Sequence, residues 1–249
     1  MRDAAKGGAN APPFAKPSDL HLRGAGSPGK AKMRRIPLAE DQIYHIFTRS
    51  IEGFKIFRNS MDYERVKGLL KFYRMENPPT RYSSFLEIKD KEKFYQNYCS
   101  DKKFLVDIIA YCLMPTHIHL ILTQLKKEGI SIFMGNVLNS YTRYFNTKYK
   151  RKGPLWQSRF KNIGVQTDEQ LLHLTRYLHL NPVSDNLVKK PEDWKLSSYR
   201  EFLGEADEDK KICNYTKHLN IEPESYKEFV LSRIDYQKEI SRIKALCLE

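Results

Sequence analysis

Between Tyr111 and Leu122 the chain reads Tyr111-Cys112-Leu113-Met114-Pro115-Thr116-His117-Ile118-His119-Leu120-Ile121-Leu122, and no other stretch constrains the fold as strongly. Apolar, β-branched-rich runs on either side of a Pro-Thr step predict two extended segments joined by a bend. In a strand alternate side chains share a face, so His117 and His119 project together while Ile118, Leu120 and Leu122 point to the other side. Two imidazoles on one face can share a divalent metal. A bare His-x-His is more often a pair of ordinary core or surface residues, because a catalytic metal centre needs a third protein ligand and an open position. The pair gains meaning only if the chain supplies that ligand, and a nucleophile, elsewhere.

Upstream, Ile43-Tyr44-His45-Ile46-Phe47-Thr48 predicts a strand and Phe54-Lys55-Ile56-Phe57 a second short extended piece. His45 joins the site only if its strand lies beside that of His117. Ser60 and Asp62 are cap candidates for a helix over 61–75, where Val66, Leu69, Leu70 and Tyr73 make an apolar stripe and Asn77-Pro78-Pro79 stops it. Residues 80–103 read as an insertion with a short helix around Lys91 to Tyr98. After Leu122 a polar turn, Lys126-Lys127-Glu128-Gly129, leads into a helix over 131–149.

The next helix is the second informative element. Thr167 and Asp168 are N-cap candidates, Gln170 completes a capping-box-like Thr-x-x-Gln, and Pro182 predicts an end at Asn181. Leu171, Leu174 and Leu178 form its apolar stripe, while Gln170, His173, Tyr177 and Asn181 share a polar face. Tyr177 and Asn181, one turn apart, offer a hydroxyl nucleophile and an amide oxygen able to complete a metal's coordination. Taken singly, such a tyrosine is more often packing and an asparagine before proline more often a helix terminus; the constellation with the histidines raises both.

Charge points to the partner. The 249 residues carry a formal net charge of +13, which favours a polyanion where the cations cluster. They cluster from Arg143 to Lys161, with Arg143, Lys148, Lys150, Arg151, Lys152, Arg159 and Lys161 and not one acid. Tyr144, Phe145, Tyr149, Trp156 and Phe160 are interleaved, the combination that phosphate neutralisation and base stacking require of a single-stranded nucleic-acid surface. A solvated helix face followed by core aromatics is the bland alternative.

Composition sets the frame around these elements. With 41% hydrophobic residues the chain can bury one good-sized core. Its apolar runs are too short to span a bilayer and no signal segment opens it, so a cytoplasmic protein without membrane association is expected. Cys99, Cys112, Cys213 and Cys247 lack a CxxC or any close pair and read as free thiols. Residues 1–33, rich in Gly, Ala, Pro and Ser, read as a disordered arm. Residues 34–204 read as the main domain. Residues 205–249 form a helical extension, with periodic Tyr226, Phe229, Val230 and Ile234 and again Ile240, Ile243 and Leu246.

Met114-Pro115-Thr116-His117-Ile118-His119-Leu120, then Tyr141-Thr142-Arg143-Tyr144-Phe145-Asn146, Gly153-Pro154-Leu155-Trp156-Gln157-Ser158-Arg159-Phe160 and Arg176-Tyr177-Leu178-His179-Leu180-Asn181-Pro182-Val183 follow one another. In that order they resemble the motifs of single-tyrosine transposases of the HUH superfamily, above all those associated with repetitive extragenic palindromes. The resemblance covers about residues 34–204. It implies an α+β, ferredoxin-like domain with a central antiparallel sheet and helices on one face. It implies His117, His119 and Asn181 as ligands of Mg2+ or Mn2+, and Tyr177 as a nucleophile that holds cut DNA as a 5′-phosphotyrosine. The implied substrate is single-stranded DNA beside a hairpin, handled by a monomer or homodimer. A replication initiator or relaxase nickase would use the same residues, and a non-catalytic nucleic-acid binder on the same fold is the reading from another class.

Overall fold

The computed structural model describes residues 37–99 and 104–236; the proposed arm over residues 1–33 and the repeat of Ile240, Ile243 and Leu246 lie outside them. Four strands, β1 (Ile43–Arg49), β2 (Val106–Met114), β3 (His117–Gln124) and β4 (Lys161–Val165), form one antiparallel sheet in the order β2-β3-β1-β4. The sheet is built with α1 (Ser60–Tyr73) between β1 and β2 and α4 (Gly129–Lys148) between β3 and β4. That order is the ferredoxin-like arrangement. Between α1 and β2 run two short helices, α2 (Tyr82–Glu87) and α3 (Lys91–Cys99). Only α3 was legible as periodicity; α2 is too short to show one.

Strand β2 is buried along its whole length, so it shows no alternation of apolar and polar residues. A register shift between Ile108 and Ala110 exchanges the faces partway along it. Val106, Ile108, Tyr111 and Leu113 then serve one core, and Ala110, Cys112 and Met114 the other.

The helices lie on both faces of the sheet, not on one as the sequence reading had it. On the first face α1 and α4 pack through Val66, Leu69, Leu70, Phe133, Val137 and Tyr141 onto Ile46, Leu120 and Leu122. On the second, α5 (Asp168–Ser184) brings Leu171 and Leu178 onto Cys112, Met114 and Ile121, joined by α6 (Tyr199–Phe202) and α7 (Pro223–Leu231). The physical reason is that β2 and β3 carry apolar residues on both sides, and each side requires a cover. The described part of the C-terminal segment adds to this second core through Leu219, Tyr226 and Val230. It also caps the edge of β2, with Asn214 donating from its amide to the Ile108 carbonyl.

Three local expectations change. Asn59, not Ser60 or Asp62, caps α1, its side chain accepting from the Asp62 amide. Residues 54–57 are irregular; Ile56 and Phe57 point their amides at the Pro115 carbonyl and brace the bend before the histidines. Helix α5 continues through Pro182 to Ser184. The proline lacks an amide hydrogen, but the turn beyond it closes through Asp185 N to the Asn181 carbonyl and Leu187 N to the Pro182 carbonyl. Thr167 caps α5 as expected, accepting from the Gln170 amide.

Candidate active site

The bend at Pro115-Thr116 delivers β3 antiparallel to β2, and β1 lies on its other side with Phe47 opposite His119 and Arg49 opposite His117. Ile118, Leu120 and Leu122 enter the core under α1 and α4, which puts His117 and His119 on the face that α5 partly covers. Their ring centroids are 4.9 Å apart at 84°. Strand β1 does lie beside that of His117, and it brings His45 to the site: His45 Nε2 is 3.0 Å from His119 Nδ1. His117 Nδ1 is 2.9 Å from Thr116 Oγ1. In both histidines of the pair the recorded bond uses Nδ1, which leaves Nε2 for a ligand and fixes the ring.

All three imidazoles are held neutral, the form that ligates metal. Burial pulls His45 and His117 down to about 4, with the Arg49 guanidinium adding to the effect at His117. His119 is pushed well below its ordinary value by burial, then by His45, His117 and Arg49.

Helix α5 sets Tyr177 edge-on over this group, its ring centroid 6.1 Å from that of His119 and 6.4 Å from that of His45. Tyr177 is 36% exposed. Its pKa is raised by burial and by Asp185, with Arg49 pulling the other way; the group is a phenol at neutral pH. Asn181, one turn on, is buried, and its Nδ2 has no hydrogen-bond partner. Among the described residues no group of three or more His, Cys, Asp and Glu side chains is arranged to hold a metal.

Residues 80–181, which contain all four of these positions, match the family model described as IS200-like transposase. Over these residues the chain is similar to that family. A protein of Haemophilus influenzae named as a REP-associated tyrosine transposase is 29% identical over 124 residues, 45% of this chain and 68% of that one. A REP-associated tyrosine transposase solved bound to a REP hairpin superposes with a TM-score of 0.50 at 14% identity, over 76% of this chain and 97% of the other. At that identity the superposition speaks for the fold.

The basic run from Arg143 to Lys161 is divided among four places. Lys161, with Gln157 and Ser158, lines a pocket of about 220 Å3 beside His117, His119, Phe47 and Arg49. Arg159 borders a second hollow with Trp156 and Phe160. Arg143 lies with Arg65, Arg81 and Lys148 in a large polar groove between α1 and α4. Lys150 and Lys152 lie on the turn after α4, which Arg151 ties together by donating to Asn146 and to the Gly153 and Pro154 carbonyls.

Much of the aromatic content of that run has structural employment. Phe145 is fully buried, Trp156 donates from Nε1 to the Leu138 carbonyl and Thr142, and Tyr144 and Tyr149 both donate to Asp62. Lys148 is ion-paired at 2.7 Å with the same buried Asp62, so its charge is largely spent inside the protein. Among the described residues no helix is long and apolar enough to cross a membrane.

Sequence reading missed Phe47 and Arg49. The available signal was period-two alternation along β1, which places His45, Phe47 and Arg49 on one face; it required knowing that β1 is the neighbour of β3.

Proposed function

We propose that this protein is a transposase that cuts and rejoins single-stranded DNA beside a hairpin, with Tyr177 as the nucleophile and His117, His119 and Asn181 as the ligands of one Mg2+ or Mn2+. The observation that carries the reading is the meeting of Tyr177 with the histidine pair, its ring 6.1 Å from His119 and Asn181 one turn along the same helix. The donor set fits a divalent ion: two neutral imidazoles with their Nδ1 atoms occupied, and the buried Asn181, whose amide oxygen is the donor it could add. When bound, the ion supplies Lewis-acid polarisation of a phosphate oxygen.

The chain's own groups do the rest. Tyr177 Oη attacks the scissile phosphorus, the phosphorus–3′-oxygen bond breaks, and the phenolic proton is lost as the departing oxygen gains one. The 5′-phosphate stays on Tyr177. Attack by a 3′-hydroxyl on that linkage reverses the step, so ends are exchanged without an energy-supplying cofactor. Arg49, beside His117, lies where it favours the anionic reacting groups. A hairpin as the structured part of the substrate is supported by the relative solved with one and by the net positive charge.

The test is to incubate the protein with a 3′-labelled hairpin DNA from the flanks of its gene, with Mn2+ and with chelator, and to map any covalently modified peptide. A single adduct on Tyr177 that needs the ion and is lost in Tyr177→Phe is expected. An adduct on Tyr141 or Tyr144, or none from the unaltered protein, overturns the assignment.

A further inference from the structure

At the histidine end of the sheet, α5 leaves part of the second face open. The register places Lys161 opposite Phe47 and Ile163 opposite His45, so Phe47, Arg49, Lys161 and Ile163 share the face that carries His117 and His119. At the other end of the same two strands Ile43 and Val165 pack against the second core. Among the described residues no element packs over the apolar groups here: Ile163 is 47% exposed and Phe47 is half-buried. The Phe47 ring lies 6.0 Å from that of His119 at 21°, and it also lines the pocket of about 220 Å3. The residues around that pocket are Phe47, Thr48, Arg49, His117, His119, Gln157, Ser158 and Lys161, two full cations and no acid. The Lys161 ammonium is 6.0 Å from the Phe47 centroid.

We propose that Phe47 is a stacking platform for a base of the single strand next to the scissile phosphate, with Arg49 and Lys161 neutralising the phosphates on either side of it. An uncovered aromatic beside an aliphatic, flanked by cations alone, is complementary to a flat base on an anionic backbone; a protein partner would be equally served by acids at the rim. A pocket of this volume is on the scale of one nucleotide and excludes a duplex, so the hairpin stem binds elsewhere. Phe47 thereby holds the strand against the histidines and under Tyr177. This proposal rests on the reading of the site as a single-strand nuclease and names the part of the substrate that it grips.

The experiment uses the full chain carrying Tyr177→Phe, so that DNA stays uncut, and synthetic hairpins with and without a single-stranded tail. The tail carries 2-aminopurine at successive positions. Quenching at one or two adjacent tail positions is expected. Phe47→Leu should abolish it and weaken binding of the tailed hairpin about tenfold, the scale of one stacked base, while binding of the tailless hairpin is unchanged. Phe47→Trp should restore the affinity, with its indole emission quenched by the tail; it also serves if the Leu variant does not fold. Equal losses for tailed and tailless hairpins, an unaffected Leu variant, or loss of Mn2+ binding by that variant would each overturn the stacking role, the last by showing that Phe47 serves only to pack against His119. The parent with Tyr177 intact is assayed for its covalent adduct alongside. Its absence refutes the nuclease reading, whereas an adduct with no contribution from Phe47 refutes only the platform.

Discussion

His45 Nε2 stands 3.0 Å from His119 Nδ1, so the strand beside the histidine pair orients one of its two imidazoles. A partner of this kind fixes the tautomer and the ring plane of a ligand, and its loss commonly costs ten- to a hundred-fold in metal affinity. His45→Ala is expected to weaken Mn2+ binding by about tenfold or more, with partial recovery in His45→Gln, whose amide can still reach a ring nitrogen. Isothermal titration of Mn2+ into the folded variants reads this directly. Unchanged affinity in His45→Ala would reduce the contact to packing.

The sheet, the His pair on one of its faces and the tyrosine helix were all legible because each rests on local pattern: β-branched runs, a period of two, an N-cap and a period near four. What escaped was pairing. Nothing in Ile43–Arg49 states that it lies beside β3, yet that single neighbour relation brings His45, Phe47 and Arg49 to the site. The second layer was signalled by the unbroken apolar run of β2, which marks a strand covered on both faces, but that run does not say which helix supplies the second cover. The basic run was read as one surface because charge is visible in sequence and burial is not. Asp62, on another helix, neutralises Lys148 and holds Tyr144 and Tyr149.

Asp62 is therefore a structural keystone between α1 and α4. Its side chain is fully buried and accepts from Lys148, Tyr144, Tyr149 and the Arg58 amide. Burial would raise its pKa, and these four bonds more than reverse that. Removing the acid strands a cation and two phenols in one move, and breaking a buried ion pair in this way costs about 3–5 kcal/mol. Asp62→Ala should unfold at correspondingly lower urea concentration. A loss below about 1 kcal/mol, the value of an exposed pair, would contradict it.

Acid should destabilise the metal-free protein through its buried histidines. His179 is fully buried between Tyr226 Oη, 2.7 Å from Nδ1, and Ser198 Oγ, 2.8 Å from Nε2, and burial depresses its pKa from 6.5 to about 3. With His45 at about 4, the unfolded chain takes up protons that the native one refuses as pH falls below 6.5. The stability these neutral histidines confer is complete above that value and is lost progressively toward the folded-state values. Each such histidine costs about 1.4 kcal/mol per pH unit across the window. Melting temperature should fall from pH 7 to pH 5, and by less in a His45→Gln variant. A flat profile would mean that these histidines are solvated in the native state.

The last expectation concerns which cations bind DNA. Each phosphate neutralised on a single strand contributes about 0.7 to the slope of log affinity against log salt, so a cation already paired inside the protein contributes little. Lys148 is such a cation, bound to Asp62 at 2.7 Å, and Arg151 is bound to the turn it closes. Arg143, Lys150, Lys152, Arg159 and Lys161 form none of the described salt bridges. Changing Lys150, Lys152 and Arg159 together to Ala should flatten the slope for a tailed hairpin by about two units if all three meet phosphates, with the melting temperature little altered. Lys148→Ala should do the reverse, lowering stability through the stranded Asp62 while leaving the slope nearly as it was. The two variants are compared by fluorescence anisotropy over a salt series and by thermal melting on the same preparations. A flattened slope in Lys148→Ala with an unchanged one in the triple variant would place the DNA track along the groove between α1 and α4 instead.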